Sequence, residues 1–176
     1  ILRFKKFLQQ GKAELIGSGY CQVIAPLVPY SVNQWNQRLG LKEYERILSI
    51  RPRLALVNEM AYADNLVELY SEFGYEGLVM EANNVSSALA IKSEDLPSHA
   101  LGTDCEKLPV LWSDSLLFQK VQHYSHGDIS LQSYIDYLRE RIKAGQSIIP
   151  FYCNDAEVFD YRPGRFSEEA PTHSQG

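Results

Sequence analysis

Four apolar residues and then an amide and a carboxylate make up the segment Leu54-Ala55-Leu56-Val57-Asn58-Glu59. A continuous apolar run is typical of a parallel strand that is covered on both faces, because neither face can then be polar. Two more runs have this form: Leu78-Val79-Met80 before Glu81, and Ile148-Ile149-Pro150-Phe151-Tyr152 before Asn154-Asp155. The three runs predict three strands, each of which ends at a carboxylate.

Amphipathic helices separate the predicted strands. One helix can begin at Asp64 and stop at Gly74, and its apolar face comprises Leu66, Leu69, Tyr70 and Phe73. Another stops at Gly145, and its apolar face comprises Leu131, Tyr134, Ile135, Leu138 and Ile142. This alternation of strands and helices predicts an α/β domain with a largely parallel sheet.

The other segments give weaker patterns. Residues 1–10 predict the end of a helix closed by Gly11, and 13–16 predict a short strand that carries Glu14. Residues 31–39 and 41–48 predict two short helices broken at Gly40, and residues 83–108 are expected to be mostly irregular. Trp112-Ser113-Asp114 is expected in a loop.

The composition is that of an ordinary globular domain, with 45% apolar and 22% charged residues in a chain of 176. The net charge of −5 disfavours nucleic acid as a partner, because phosphate binding requires a basic surface. No apolar run approaches the roughly 18 residues of a membrane span, so no membrane partner is expected.

The cysteines Cys21, Cys105 and Cys153 are odd in number and widely spaced. This spacing matches neither a disulfide framework nor a zinc site. We therefore expect free, buried thiols in a reducing compartment, and hence a cytoplasmic protein.

Strand-end acids can share one site although they lie far apart in sequence. In α/β barrels the carboxyl ends of the parallel strands form one open face, where functional side chains gather. A pair of carboxyl groups suits glycoside hydrolysis, because one can attack the sugar carbon while the other, protonated, donates to the leaving oxygen. Glu59, Glu81 and Asp155 are candidates by position, although acids after strands also serve as helix caps or loop residues.

Three segments resemble motifs of glycoside hydrolase family 57, whose members act on α-glucans. They are Gly11-Lys12-Ala13-Glu14-Leu15-Ile16-Gly17, Val57-Asn58-Glu59-Met60-Ala61-Tyr62 and Asn154-Asp155-Ala156-Glu157-Val158-Phe159. The loop Pro26-Leu27-Val28-Pro29-Tyr30 with Asn33 is also similar to a loop of the family. The motifs occur in the family's order, and the resemblance runs over most of the chain.

The resemblance implies the fold and the mechanism. It implies a partial (β/α)7 TIM-like barrel with mainly parallel strands, and a retaining hydrolase or transglycosylase that acts on α-glucan oligo- or polysaccharides. No cofactor is expected, because Gly17-x-Gly19 lacks the third glycine of a dinucleotide-binding loop. It assigns Glu59 as the nucleophile, Asp155 as the general acid/base and Glu14 as an acid that lines the substrate cleft. Glu81, Trp35 and Asp114 are further candidate sugar contacts, although the position of Trp35 on a predicted helix favours the core.

Two departures from the family bear on how much of the barrel these residues form. The family's first motif, a His-x-Pro element, is absent, and residues 1–176 are fewer than the roughly 250 of a typical closed barrel. We therefore expect residues 1–176 to be a partial catalytic barrel that lacks the N-terminal strand and the C-terminal region. Because the first motif is absent, residues 1–176 on their own could be inactive.

Two other functions remain as alternatives. One is a catalytically inactive relative that binds carbohydrate. The other is a metal-dependent polysaccharide deacetylase, which would use the pair His123 and His126, although their spacing differs from the usual i and i+4 pair and loop histidines are the simpler interpretation.

Overall fold

A five-stranded sheet organises the chain in its computed structural model, which describes residues 2–92 and 95–143. The helices are α1 (Leu2–Gln9), α2 (Tyr30–Leu48), α3 (Asn65–Glu72), α4 (Ala82–Leu89), α5 (Ser115–His126) and α6 (Leu131–Lys143). The strands are β1 (Ile16–Gly17), β2 (Leu54–Leu56), β3 (Gly77–Glu81), β4 (His99–Leu101) and β5 (Lys107–Ser113). Short 3-10 turns lie at Ala25–Leu27 and Asn58–Met60.

The strand order is β1-β2-β3-β5-β4. Strands β1 and β2 are parallel, as are β2 and β3, while β4 and β5 pair antiparallel. The apolar runs at Leu54 and Leu78 form the neighbouring strands β2 and β3, and all of β3 is buried. Both strand predictions are confirmed, whereas the run 148–152 lies outside the described residues.

The chain divides into two compact units, Ile1–Met80 with Pro97–Leu111, and Glu81–Leu96 with Trp112–Gly176. In the first unit the core lies between β2, β3 and α3. Its largest fully buried side chains are Leu66, Leu69, Leu78, Val57, Val67 and Val79. In the second unit α5 contacts both α4 and α6.

The predicted ends of α3 are confirmed. The Asp64 carboxylate accepts a hydrogen bond from the Asn65 N–H at 3.0 Å, and the chain leaves the helix through Gly74, whose φ is +78°. Glycine suits that position because it has no Cβ to clash in the left-handed region.

Several predicted elements are wrong. The strand at residues 13–16 is reduced to Ile16–Gly17, because β2 begins only at Leu54, the partner of Ile16. Residues 83–108 contain α4, β4 and the start of β5, and Trp112-Ser113 ends β5 instead of lying in a loop. Both described cysteines, Cys21 and Cys105, are exposed, so the expectation of buried thiols is wrong for these two.

Gly40 lies inside α2 and does not break it. A Cβ atom at position 40 would lie 2.5 Å from the carbonyl carbon of Gly19 and 2.8 Å from its Cα. The prediction of two helices at 31–39 and 41–48 is therefore wrong. Glycine is needed here because the loop after β1, residues 18–29 (the β1 loop), passes directly over the helix.

We expect Gly40→Ala to lower the free energy of unfolding by about 2 kcal/mol, because the new methyl group overlaps backbone atoms that cannot move independently. Helix propensity alone gives the opposite sign, since alanine is favoured over glycine by about 1 kcal/mol in a helix. Urea unfolding of both proteins measures the difference. Gly102→Ala is the matched control, because its new Cβ meets only the flexible end of Glu68. An equal or smaller loss for Gly40→Ala would contradict the close contact.

Candidate active site

Glu59 lies at the carboxyl end of β2, in the 3-10 turn Asn58–Met60 (the Glu59 turn). Its side chain is exposed and its backbone is left-handed, with φ 54° and ψ 15°. Met60 follows at φ 52°. Each non-glycine residue in this region costs about 1–2 kcal/mol, so the turn persists only because its surroundings hold it.

Backbone hydrogen bonds hold the Glu59 turn from both sides. The Met60 N–H donates to the Val57 carbonyl at 2.9 Å, and the Ala61 N–H donates to the Asn58 carbonyl at 3.2 Å. The N–H of Val57 donates to the carbonyl of Val79 in β3 at 3.2 Å. The hydrogen-bonded ladder of β2 and β3 thus extends directly to the turn.

The side chain of Asn58 joins the turn to the β1 loop. Its Nδ2 donates to the Ser18 carbonyl at 2.9 Å, and the residue is only 7% exposed. The neighbouring apolar pattern gives no hint of this bond, and sequence analysis did not single out Asn58 as a site residue.

Polar side chains of α2 fix the β1 loop. The Asn36 Oδ1 accepts from the N–H groups of Tyr20 and Cys21, at 2.9 and 2.7 Å, and its Nδ2 donates to the Cys21 carbonyl at 3.0 Å. The Tyr44 hydroxyl accepts from the Ser18 N–H and donates to the Gly19 carbonyl. The ends of β1 and β2 are therefore held in one hydrogen-bonded arrangement.

Glu14 lies elsewhere in the first unit. It precedes β1, and with Leu8, Ala13, Leu15, Ile50, Arg51 and Arg53 it lines a pocket of about 180 Å³. Arg53 precedes β2, whereas Glu59 follows it, so Glu14 and Glu59 lie at opposite ends of the parallel strands. The structure does not bring these two predicted site residues together.

Trp35 lies on the outer side of α2 and is 59% exposed, so its interpretation as a core residue is wrong. The Arg38 guanidinium carbon lies 5.2 Å from the ring centroid, within the range of a cation–π contact. The predicted sugar contact of Trp35 stays a prediction.

The second unit brings Glu81 and Asp114 together through Asn83. The buried Glu81 carboxylate accepts from the Asn83 N–H at 2.9 Å. The Asn83 Nδ2 donates to Asp114 Oδ1 at 3.2 Å and to Ser115 Oγ at 2.7 Å. These side chains form a part-buried polar cluster at the start of α5.

Asp114 has a structural role in this cluster. Its Oδ1 caps α5 by accepting from the N–H groups of Leu116 and Leu117, and its Oδ2 pairs with Arg141 of α6. Arg141 also donates to the Tyr137 hydroxyl at 2.9 Å. Asp114 lies in the link between β5 and α5, and its side chain is 2% exposed.

His123 and His126 lie in the last turn of α5, so their placement in a loop is wrong. The Nδ1 of His123 is 2.8 Å from Oδ2 of Asp128. Within residues 2–92 and 95–143 there is no group of three His, Cys, Asp or Glu side chains that could hold a metal ion.

Among the helices in residues 2–92 and 95–143, none is long and apolar enough to cross a membrane. Asp155 lies outside the described residues.

Three solved structures share this fold at low sequence identity. The 4-α-glucanotransferase of Thermococcus litoralis matches with a TM-score of 0.71 and 20% identity, over 91% of this chain and 24% of its own. The branching enzyme of Pyrococcus horikoshii matches with a TM-score of 0.56 and 17% identity, over 71% of this chain and 26% of its own. The α-amylase AmyC of Thermotoga maritima matches with a TM-score of 0.53 and 19% identity, over 68% of this chain and 23% of its own. The predicted partial α/β barrel with mainly parallel strands is confirmed, and the chain spans about a quarter of the length of these proteins.

A search of curated proteins found no match. The sequence profile of glycosyl hydrolase family 57, however, matches residues 1–170. That match covers nearly the whole chain and includes all three motif segments. The chain therefore belongs to glycosyl hydrolase family 57.

Proposed function

We propose that residues 1–176 form part of the catalytic barrel of a retaining glycosidase or transglycosylase that acts on α-linked glucans. The observation that carries the proposal is the position of Glu59. This exposed carboxylate lies in a strained turn at the carboxyl end of a parallel strand, in a chain of family 57. Strain at such a strand end is typical of functional sites.

In the proposed reaction the Glu59 carboxylate attacks the anomeric carbon and forms a covalent glycosyl-enzyme. Asp155 protonates the leaving glycosidic oxygen as that bond breaks. Asp155 then takes a proton from water, or from a sugar hydroxyl, which attacks the same carbon and releases Glu59. Water gives hydrolysis and a sugar gives transfer.

The proposal that the substrate is an α-glucan is supported by relatives. The three similar structures are a 4-α-glucanotransferase, an α-amylase and a branching enzyme. The exposed indole of Trp35 offers a face on which a neutral sugar ring can stack. We keep Trp35 and Glu81 as proposed sugar contacts, Trp35 for its exposed ring and Glu81 for its place at the end of β3.

The stereochemistry of the product tests this proposal. We expect NMR of fresh reaction mixtures of the protein with maltooligosaccharides to show the α-anomer first, because two displacements restore the starting configuration. We also expect a chelator to leave the rate unchanged. Initial formation of the β-anomer would contradict the covalent mechanism. Loss of activity with the chelator, together with release of acetate from an acetylated polysaccharide, would instead favour a deacetylase.

A further inference from the structure

Asn58 is a buried amide that is only partly satisfied. Its Nδ2 donates to the Ser18 carbonyl at 2.9 Å, but among the described residues its buried Oδ1 has no hydrogen-bond partner. A buried polar atom without a partner destabilises a fold, and an apolar residue of similar size avoids that cost. The position therefore carries an amide at the expense of stability.

The location of Asn58 suggests what the amide contributes. It lies between Val57, which is 1% exposed, and Glu59, the first of two consecutive left-handed residues. Its side chain reaches the β1 loop, which Asn36 and Tyr44 already fix to α2. The bond to Ser18 thus ties a strained turn to a rigid neighbour at the residue before Glu59.

We propose that Asn58 is a positioning residue, which holds the Glu59 carboxylate in its reactive orientation through the bond from Nδ2 to the Ser18 carbonyl. This inference rests on the proposed role of Glu59 as the nucleophile. Without the bond, the Glu59 turn can relax toward a right-handed backbone, which turns the carboxylate away from its place. Reaction rates depend steeply on such placement, and a shift of about 1 Å can cost about a hundredfold.

The test compares Asn58→Leu with Asn33→Leu in the whole protein. Asn33 is a matched control, because it is also a buried asparagine, 3% exposed, whose Nδ2 donates to a backbone carbonyl of the β1 loop, that of Ala25 at 2.8 Å. It does not adjoin Glu59. Each variant is assayed for kcat and KM on maltoheptaose and for its Tm.

The two variants should separate the effect on kcat from the effect on Tm. We expect Asn58→Leu to lower kcat about ten- to a hundredfold with KM within about twofold, while its Tm stays equal to or above that of the wild type. We expect Asn33→Leu to lower the Tm and to keep kcat within about twofold. A purely structural role of Asn58 would instead lower its Tm and spare kcat.

Four results would overturn the inference. Asn58→Leu with a kcat within about twofold of the wild type would overturn it, as would equal losses of kcat in both variants, which indicate general loosening. A wild type without turnover, or a Glu59→Gln variant that keeps full activity, would overturn the proposed function itself and the inference with it. The Glu59→Gln measurement therefore distinguishes the two failures.

Discussion

Glu59→Gln is expected to lower kcat on maltooligosaccharides by at least about three orders of magnitude, because an amide cannot form the glycosyl-enzyme. Loss of a nucleophile removes a step that no neighbouring group replaces. Glutamine has nearly the same size, and the exposed side chain of Glu59 needs no repacking. We therefore expect KM and Tm to change little, and initial rates of reducing-sugar release measure the effect.

Glu76→Gln is the control for this substitution. Glu76 is an exposed acid of the same unit, but it precedes β3 and pairs with Arg53 at the other end of the strands. Its replacement should leave kcat unchanged. A Glu59→Gln protein with most of its activity would contradict the assignment. Restoration of turnover in Glu59→Ala by azide, with an azido sugar of inverted configuration as product, would identify the missing group as the nucleophile.

Asp114→Ala is expected to lower the free energy of unfolding by about 3–4 kcal/mol, the largest loss of stability that we predict. Removal of one partner from a buried ion pair typically costs about 3–5 kcal/mol, because the other charge stays buried. The side chain of Arg141 is 20% exposed, so its contact with water can offset part of this loss of free energy. The lost N-cap of α5 adds about 1 kcal/mol. Urea unfolding monitored by far-UV circular dichroism gives the value.

Asp114→Asn separates the two contributions. Asparagine is a good N-cap but carries no charge, so this variant should keep the cap of α5 and lose the ion pair with Arg141. Arg141→Met removes the other partner, and the cycle with the double variant isolates the pair. Additive losses would contradict a coupling between Asp114 and Arg141. A Tm unchanged in Asp114→Asn, together with a higher KM, would favour the predicted sugar contact over the structural role.

Patterns of hydrophobicity predicted the parts of the fold that depend on burial alone. The runs at Leu54 and Leu78 predicted β2 and β3 because strands covered on both faces leave no position for polar residues. The position of Glu59 at a strand end followed from the same argument. Its left-handed backbone did not, because a single glutamate carries no sequence signal for positive φ.

Other elements were missed for identifiable reasons. In β5, Leu108, Val110 and Trp112 are buried while the residues between them face outward, a period of two that Pro109 obscured. Gly40 indicated a helix break because glycine disfavours helices, and the sequence does not reveal the contact with Gly19 that requires glycine inside α2. The pair of Asp114 with Arg141 joins residues 27 positions apart, and only the packing of α5 against α6 brings them together.

The proposed role of Glu59 as the nucleophile gives its left-handed backbone a consequence for synthetic chemistry. Removal of the attacking carboxylate from a retaining enzyme gives a catalyst that can join sugars, supplied as activated donors of inverted configuration, but cannot cleave the product. Glycine is the natural replacement here, because it occupies φ 54° without the steric cost that glutamate or alanine carries. A turn that strains the natural residue therefore favours its conversion into a tool for building glycans.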